Sequence, residues 1–169
     1  MCIRDSLFFI KSNFIVAQNC SAPEIPEYSE NFLFWPPSCW LEGNEGMPTS
    51  GPANFDDSAW VTDGFGNIGS SGSARINISQ TNLNNEWFIS PEIDLTGGPY
   101  DLIFEIAVTN ALDFNASNFG SDDKVQLVFT IDGGASWTIL ETWDNTSSVS
   151  NTGQTILYDL SPYLSLIHI

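Results

Sequence analysis

Along residues 122–143, apolar and polar positions alternate in two short runs on either side of a turn-forming triplet. Val125, Leu127 and Phe129 alternate with Gln126, Val128 and Thr130, and Ile139, Glu141 and Trp143 resume the period of two beyond Asp132-Gly133-Gly134, whose glycines tolerate positive φ. The pattern predicts a β-hairpin. Short apolar runs recur elsewhere between clusters of Gly, Pro, Asn, Ser and Asp, and helical periodicity is almost absent, so the chain reads as all-β. Strands are expected at residues 30–34, 73–79, 86–90, 100–110, 124–131, 137–143 and 155–160, with a short one at 60–62 inside a loop-rich segment spanning 43–72. Residues 100–109 are nearly continuously apolar, which suits a central strand packed on one face and partly covered on the other; Glu105 within it then needs a partner. Two antiparallel sheets stacked as a jelly-roll sandwich would satisfy this spacing and hide most strand edges.

With 169 residues there is room for one domain around one core. Aromatic residues make up 13% of the chain and charged ones only 15%, a balance that suits an aromatic-rich β core. Against 21 Asp and Glu stand four Lys and Arg, a formal net charge of −17, so a polyanion is repelled and nucleic acid is excluded as a partner. Crowded carboxylates destabilise a compact fold unless distance, salt or a bound cation such as Ca²⁺ offsets their repulsion. Acidity that merely keeps a surface protein soluble is the other reading.

The string Thr130-Ile131-Asp132-Gly133-Gly134-Ala135-Ser136-Trp137 resembles the Asp box, S/T-x-D-x-G-x-S/T-W, which implies an Asp capping the turn's amides and a Trp packed beneath it. Both ends of the chain, residues 1–6 and 164–169, resemble translated sequencing-adapter strings and are expected to lie outside the domain, which removes Cys2, Arg4 and the single histidine, His168, from any functional role. Residues 7–18 look like the apolar part and small-residue exit of a secretory signal, too short to span a bilayer, so a secreted domain is expected over residues 19–163 with no transmembrane segment. In an exported chain Cys20 and Cys39 allow one disulfide; two buried thiols are the alternative.

Several strings in order resemble a jelly-roll family that includes MAM-type domains, the choice-of-anchor J module and the cleaved-adhesin domains of gingipain-type bacterial surface proteins. Residues 30–40, ENFLFWPPSCW, resemble the family's opening "ENF…PPxCW"; residues 59–67, AWVTDGFGN, follow; residues 86–95, EWFISPEIDL, are similar to "xWLISPxIDL"; and Gly120-Ser121-Asp122-Asp123-Lys124-Val125 leads into the hairpin. The resemblance covers residues 30–163. It implies an adhesive or substrate-binding accessory on a secreted or outer-surface protein, many of which use the type IX export route. Its ligand would be a polysaccharide, a glycoprotein or a surface protein, and further domains of the parent would flank it. Family members continue past a segment like residues 158–163 into further strands, so missing sheet strands and an exposed edge are expected here.

Candidate chemistry is sparse. A Ser-His-Asp triad needs a histidine near its nucleophile, and a usual zinc site needs three or four His, Cys or carboxylate ligands; neither set is supplied. Gly64-Phe65-Gly66-Asn67-Ile68-Gly69 mimics a dinucleotide fingerprint but opens no helix, and reads as a turn. Calcium is the cofactor this composition best accommodates. Asp113, Asn115, Asp122 and Asp123 lie in one loop rich in hard oxygen ligands, although the EF-hand order is missing and an ordinary solvated loop is the other reading. The family's ion site implies a second set, Glu30 (or Glu27) with Asp159, and Asp56 with Asp57 form a weaker third. Trp60, Phe65 and Trp143 neighbour loops and are the candidates for stacking on a ligand, with core packing as the competing role. The expected function is therefore a non-catalytic extracellular binding module. The rivals are a jelly-roll glycoside hydrolase or lyase using paired carboxylates, with Glu105 the best single acid, and a structural spacer.

Overall fold

Alternating burial builds the largest sheet. The computed structural model describes residues 2–4, 20, 22–78, 85–164, 166, 167 and 169. Eleven strands run through these residues: β1 (Cys2–Arg4), β2 (Leu41–Asn44), β3 (Trp60–Asp63), β4 (Ser73–Ile76), β5 (Glu86–Ile89), β6 (Ile93–Asp94), β7 (Asp101–Ala107), β8 (Lys124–Phe129), β9 (Thr138–Asp144), β10 (Gln154–Asp159) and β11 (Leu166–Ile167). Five of them form one antiparallel sheet in the order β10-β7-β1-β4-β3; β2 pairs with β5, β8 with β9 and β6 with β11, also antiparallel. The chain is all-β, as its periodicity predicts.

On β7, Phe104 and Ile106 are buried while Asp101 and Ile103 face solvent, the period of two expected of a strand with one covered face. In register with Phe104 and Ile106 stand Ile156 and Gln154 of β10, and Leu157 of β10 lies opposite Ile103 on the outer face. The smaller sheets cover the inner face. Trp143 of β9 meets Phe104 edge-on at 6.2 Å between ring centroids, and Trp60 of β3 stacks on Phe88 of β5 at 5.7 Å. Phe88 is the hub of this layer. Trp35 and Trp40 also stack on it, at 4.8 and 4.6 Å, and Phe32 leans against it at 5.9 Å, so four rings share one fully buried phenyl.

The 8–9 hairpin forms over the predicted residues, with one departure. A bulge between Leu127 and Val128 shifts the register, and for that reason Val128 and Phe129 are buried in succession where strict alternation puts Val128 outside. In the turn Asp132 accepts the Ser136 amide and hydroxyl at 3.0 and 2.6 Å and the Thr130 hydroxyl at 2.7 Å, while Thr130 Oγ1 accepts the Gly134 amide at 2.9 Å. Gly133 and Gly134 occupy positive φ, 68° and 86°, where a side chain would be strained. Those bonds, the Ser136 hydroxyl foremost, hold the Asp132 carboxyl well below the usual carboxylate range. Trp137, the last residue of the motif, is buried edge-on to Trp87 at 5.6 Å.

Two expectations about strands fail. Residues 30–34 do not pair into a sheet: Glu30 Oε1 takes the amides of Asn31 and Phe32 at 2.9 and 2.8 Å, and Phe32 adopts φ 52°, so a local side-chain cap displaces the ladder. Conversely β2 arises where no strand is expected, its last two residues inside the loop-rich segment 43–72. Gly43 permits it, because a Cβ there would stand 2.7 Å from the Asn54 carbonyl oxygen.

Both terminal strings pair into the sheets. β1 occupies the centre of the five-stranded sheet between β4 and β7, and Ile167 and Ile169 are buried. The secretory signal expected at 7–18 lies outside the described residues, as does His168. Cys20 and Cys39 form a disulfide with Cα atoms 5.6 Å apart, which closes the N-terminal segment onto the aromatic layer through Trp40. A loop of that size contributes about 3 kcal/mol by restricting the unfolded chain.

Candidate functional site

Three segments meet where β7 ends and β10 begins: residues 108–118, the short 3-10 turn Phe65–Asn67 and residues 150–153. Gly66 and Asn67 both hold positive φ, 64° and 61°, so the turn doubles back and aims the Asn67 amide at its neighbours. Asn67 Nδ2 donates toward Thr109 Oγ1 and the Asn110 and Asp113 carbonyls, each at 2.8 Å. On the other flank Asn151 Nδ2 donates to the Phe114 carbonyl at 2.7 Å, and the Val108 amide to the Ser150 carbonyl at 3.2 Å. Inside the loop the Asn110 amide reaches the Asn115 carbonyl at 2.8 Å and Thr109 bridges Ala116. Gly153 seats the Phe65 ring so closely that a Cβ would fall 2.8 Å from it. Two asparagines thus tie the loop's backbone from both sides.

Because hydrogen bonds hold the backbone, the apolar side chains of this corner are not needed for its shape. Leu112 is 93% exposed, Ile68 70% and Phe114 57%. Ile68 follows Asn67 in the chain, and Leu112 and Phe114 flank Asp113, whose carbonyl Asn67 binds, so the three surround one polar knot. Isolated exposed apolar residues are ordinary, whereas a rigidly presented group rimmed by polar residues marks an interaction surface. Asp113, between Leu112 and Phe114, gives this surface a carboxylate.

Several of the carboxylates expected as calcium ligands take part in local turns. Asp113 Oδ1 accepts the backbone amide of Asn115 at 2.9 Å, and Asp123 Oδ2 accepts the Gly120 amide at 3.0 Å; Asp122, next to Asp123, is exposed. Glu30 caps Asn31 and Phe32, and Asp159 binds the Ser161 amide and hydroxyl at the far end of β10. Asp56 Oδ1 accepts the Asp57 amide at 2.8 Å. Among the described residues no group of three or more His, Cys, Asp and Glu side chains stands close enough to hold a metal ion.

The proposed stacking residues are not brought together either. Trp60 and Trp143 are 3% and 7% exposed and offer no ring face to a ligand; packing is the role their positions give them. Phe65, half-buried, rests on Gly153. Of the acids, Glu105 sits on the outer face of β7, in register with Thr155 and Arg4. Glu42 and Glu86 stand on neighbouring strands, but Ser58 Oγ donates to Glu42 at 2.7 Å and the Ala59 amide to Glu86 at 2.8 Å. Burial pushes the Glu42 carboxyl up; the Ser58 hydroxyl opposes that, and Asp57 and Glu86 add to it.

Sequence reasoning missed Asn67, Ile68, Leu112 and Phe114. The signal for the last two was present as apolar residues at alternate positions of an Asn- and Asp-rich loop. Asn67 was legible only as part of a turn. No family model matches the chain, and neither a curated protein nor a solved structure matches it. Among the described residues no helix is long and apolar enough to cross a membrane.

Proposed function

We propose that this chain is a non-catalytic binding module of jelly-roll type, secreted or carried on a cell surface, which holds a macromolecular ligand for a larger parent protein. One observation carries the reading: a loop corner kept in shape by the Asn67 and Asn151 amides, with Leu112, Phe114 and Ile68 left exposed around it. Pre-ordered loops lose little entropy on binding, so a shallow surface of this kind supplies affinity without a deep cleft. The Cys20–Cys39 disulfide suits an oxidising, extracytoplasmic setting. The resemblance of residues 30–163 to MAM-like and cleaved-adhesin domains points to the same use.

The test is a solid-phase panel of polysaccharides, glycoproteins and surface proteins, read in parallel for retention of the chain and for release of reducing ends or peptide fragments. Saturable retention without turnover is the expected result. Time-dependent release of product from any member of the panel would make the chain an enzyme and end this reading.

A further inference from the structure

Resting on that reading, we infer that the Asn67 corner takes a protein ligand, a segment in which apolar side chains are flanked by Lys or Arg, and not a sugar chain. The side chains themselves make the distinction. Leu112 and Ile68 are aliphatic and branched and offer no flat face to a pyranose ring, so Phe114 is the one ring of the three, without the polar edge by which Trp and Tyr also hydrogen-bond. Trp60 and Trp143, which could stack on a sugar, are buried elsewhere. Charge narrows the class further. The chain carries −17 overall, and Asp113 stands between Leu112 and Phe114 in the loop, so an acidic ligand or an anionic lipid surface is repelled while a basic segment is attracted. In a protein interface apolar anchors set the dissociation rate and complementary charge sets encounter, and this corner offers the first within a chain that supplies the second.

The experiment is selection of a random peptide library on the full chain, with counter-selection on a Leu112→Ser/Phe114→Ser double variant. Both positions are exposed, so the variant keeps the wild-type melting temperature, and that is measured first. Peptides that depend on the wild-type corner are expected to be rich in Lys or Arg around Leu, Ile, Phe or Trp. Losing two apolar anchors is expected to weaken them by about tenfold or more. A second variant, Asp113→Asn, which keeps an acceptor for the Asn115 amide, is expected to reduce binding at low salt and to converge on wild type as salt screens the lost charge. Corner-dependent peptides that prove acidic or uncharged would overturn the inference, as would a library that yields no corner-dependent sequence. Retention on a polysaccharide that the Leu112→Ser/Phe114→Ser variant loses would also overturn it, yet would leave the binding-module reading standing. Equal binding by wild type and the double variant would show a charge effect alone and remove the corner from the interface.

Discussion

The aromatic layer around Phe88 and the loop corner around Asn67 are both tightly built, by opposite means. In the first, Phe32, Trp35, Trp40 and Trp60 surround one buried ring, and apolar contact is what fixes the geometry. In the second, amide nitrogens bind backbone oxygens and the apolar side chains stand outside. The difference teaches where function can reside. A side chain that holds the fold together is not free to hold anything else, whereas the exposed side chains of Leu112 and Phe114 take none of the hydrogen bonds of the knot, to which Phe114 lends only its carbonyl.

The sharpest way to break the comparison is Phe88→Ala. Truncating a fully buried phenyl costs about 3–5 kcal/mol, and here it also unseats three tryptophans, so a large fall in melting temperature with lost near-UV signal is expected; a small one would mean that the layer is not the core. Asn67→Ala should cost less, about 1–2 kcal/mol, since one amide's hydrogen bonds are lost at a partly exposed site. Its effect should be local, with faster amide hydrogen exchange at residues 110–116 and unchanged protection in β4 and β7. Uniformly faster exchange would mean the corner is not a separate unit.

The smallest effect belongs to Glu42, which lies in register with Phe88 at the edge of the aromatic layer. Its carboxyl is raised, chiefly by burial, so the folded state holds this proton more tightly than the unfolded chain does. Stability from this group is therefore present below the ordinary glutamate value, about 4.3, and is lost as pH rises toward the raised one. Glu42→Gln, which keeps an acceptor for Ser58, should raise the melting temperature at pH 7 and leave it unchanged near pH 4. A destabilised variant at pH 7 would show that the charge is favourable where it stands.

Much of the scaffold could be read from local pattern. Residues 122–143 alternate and carry their own turn, so the hairpin forms where predicted, and even its bulge falls within a strand already assigned. The strand at 30–34 was misread because alternation looks the same whether a neighbour's ladder or a side-chain carboxylate takes the amides; Glu30 settles that locally, through a cap that periodicity does not register. β2 was hidden for the opposite reason, its Gly43 being chosen by a distant contact with Asn54 and Pro52.

For the site the balance reverses. Composition made carboxylates and tryptophans the conspicuous candidates, yet the carboxylates cap turns and Trp60 and Trp143 are buried. By itself the sequence determined the all-β class, the hairpin and an aromatic core, because these follow from periods of two and from turn chemistry within a few residues. The tertiary structure alone decided which apolar residues face solvent. Exposure at Leu112, Phe114 and Ile68 depends on hydrogen bonds that join Asn67 to residues 109–113 and Asn151 to Phe114, across separations that no local pattern encodes.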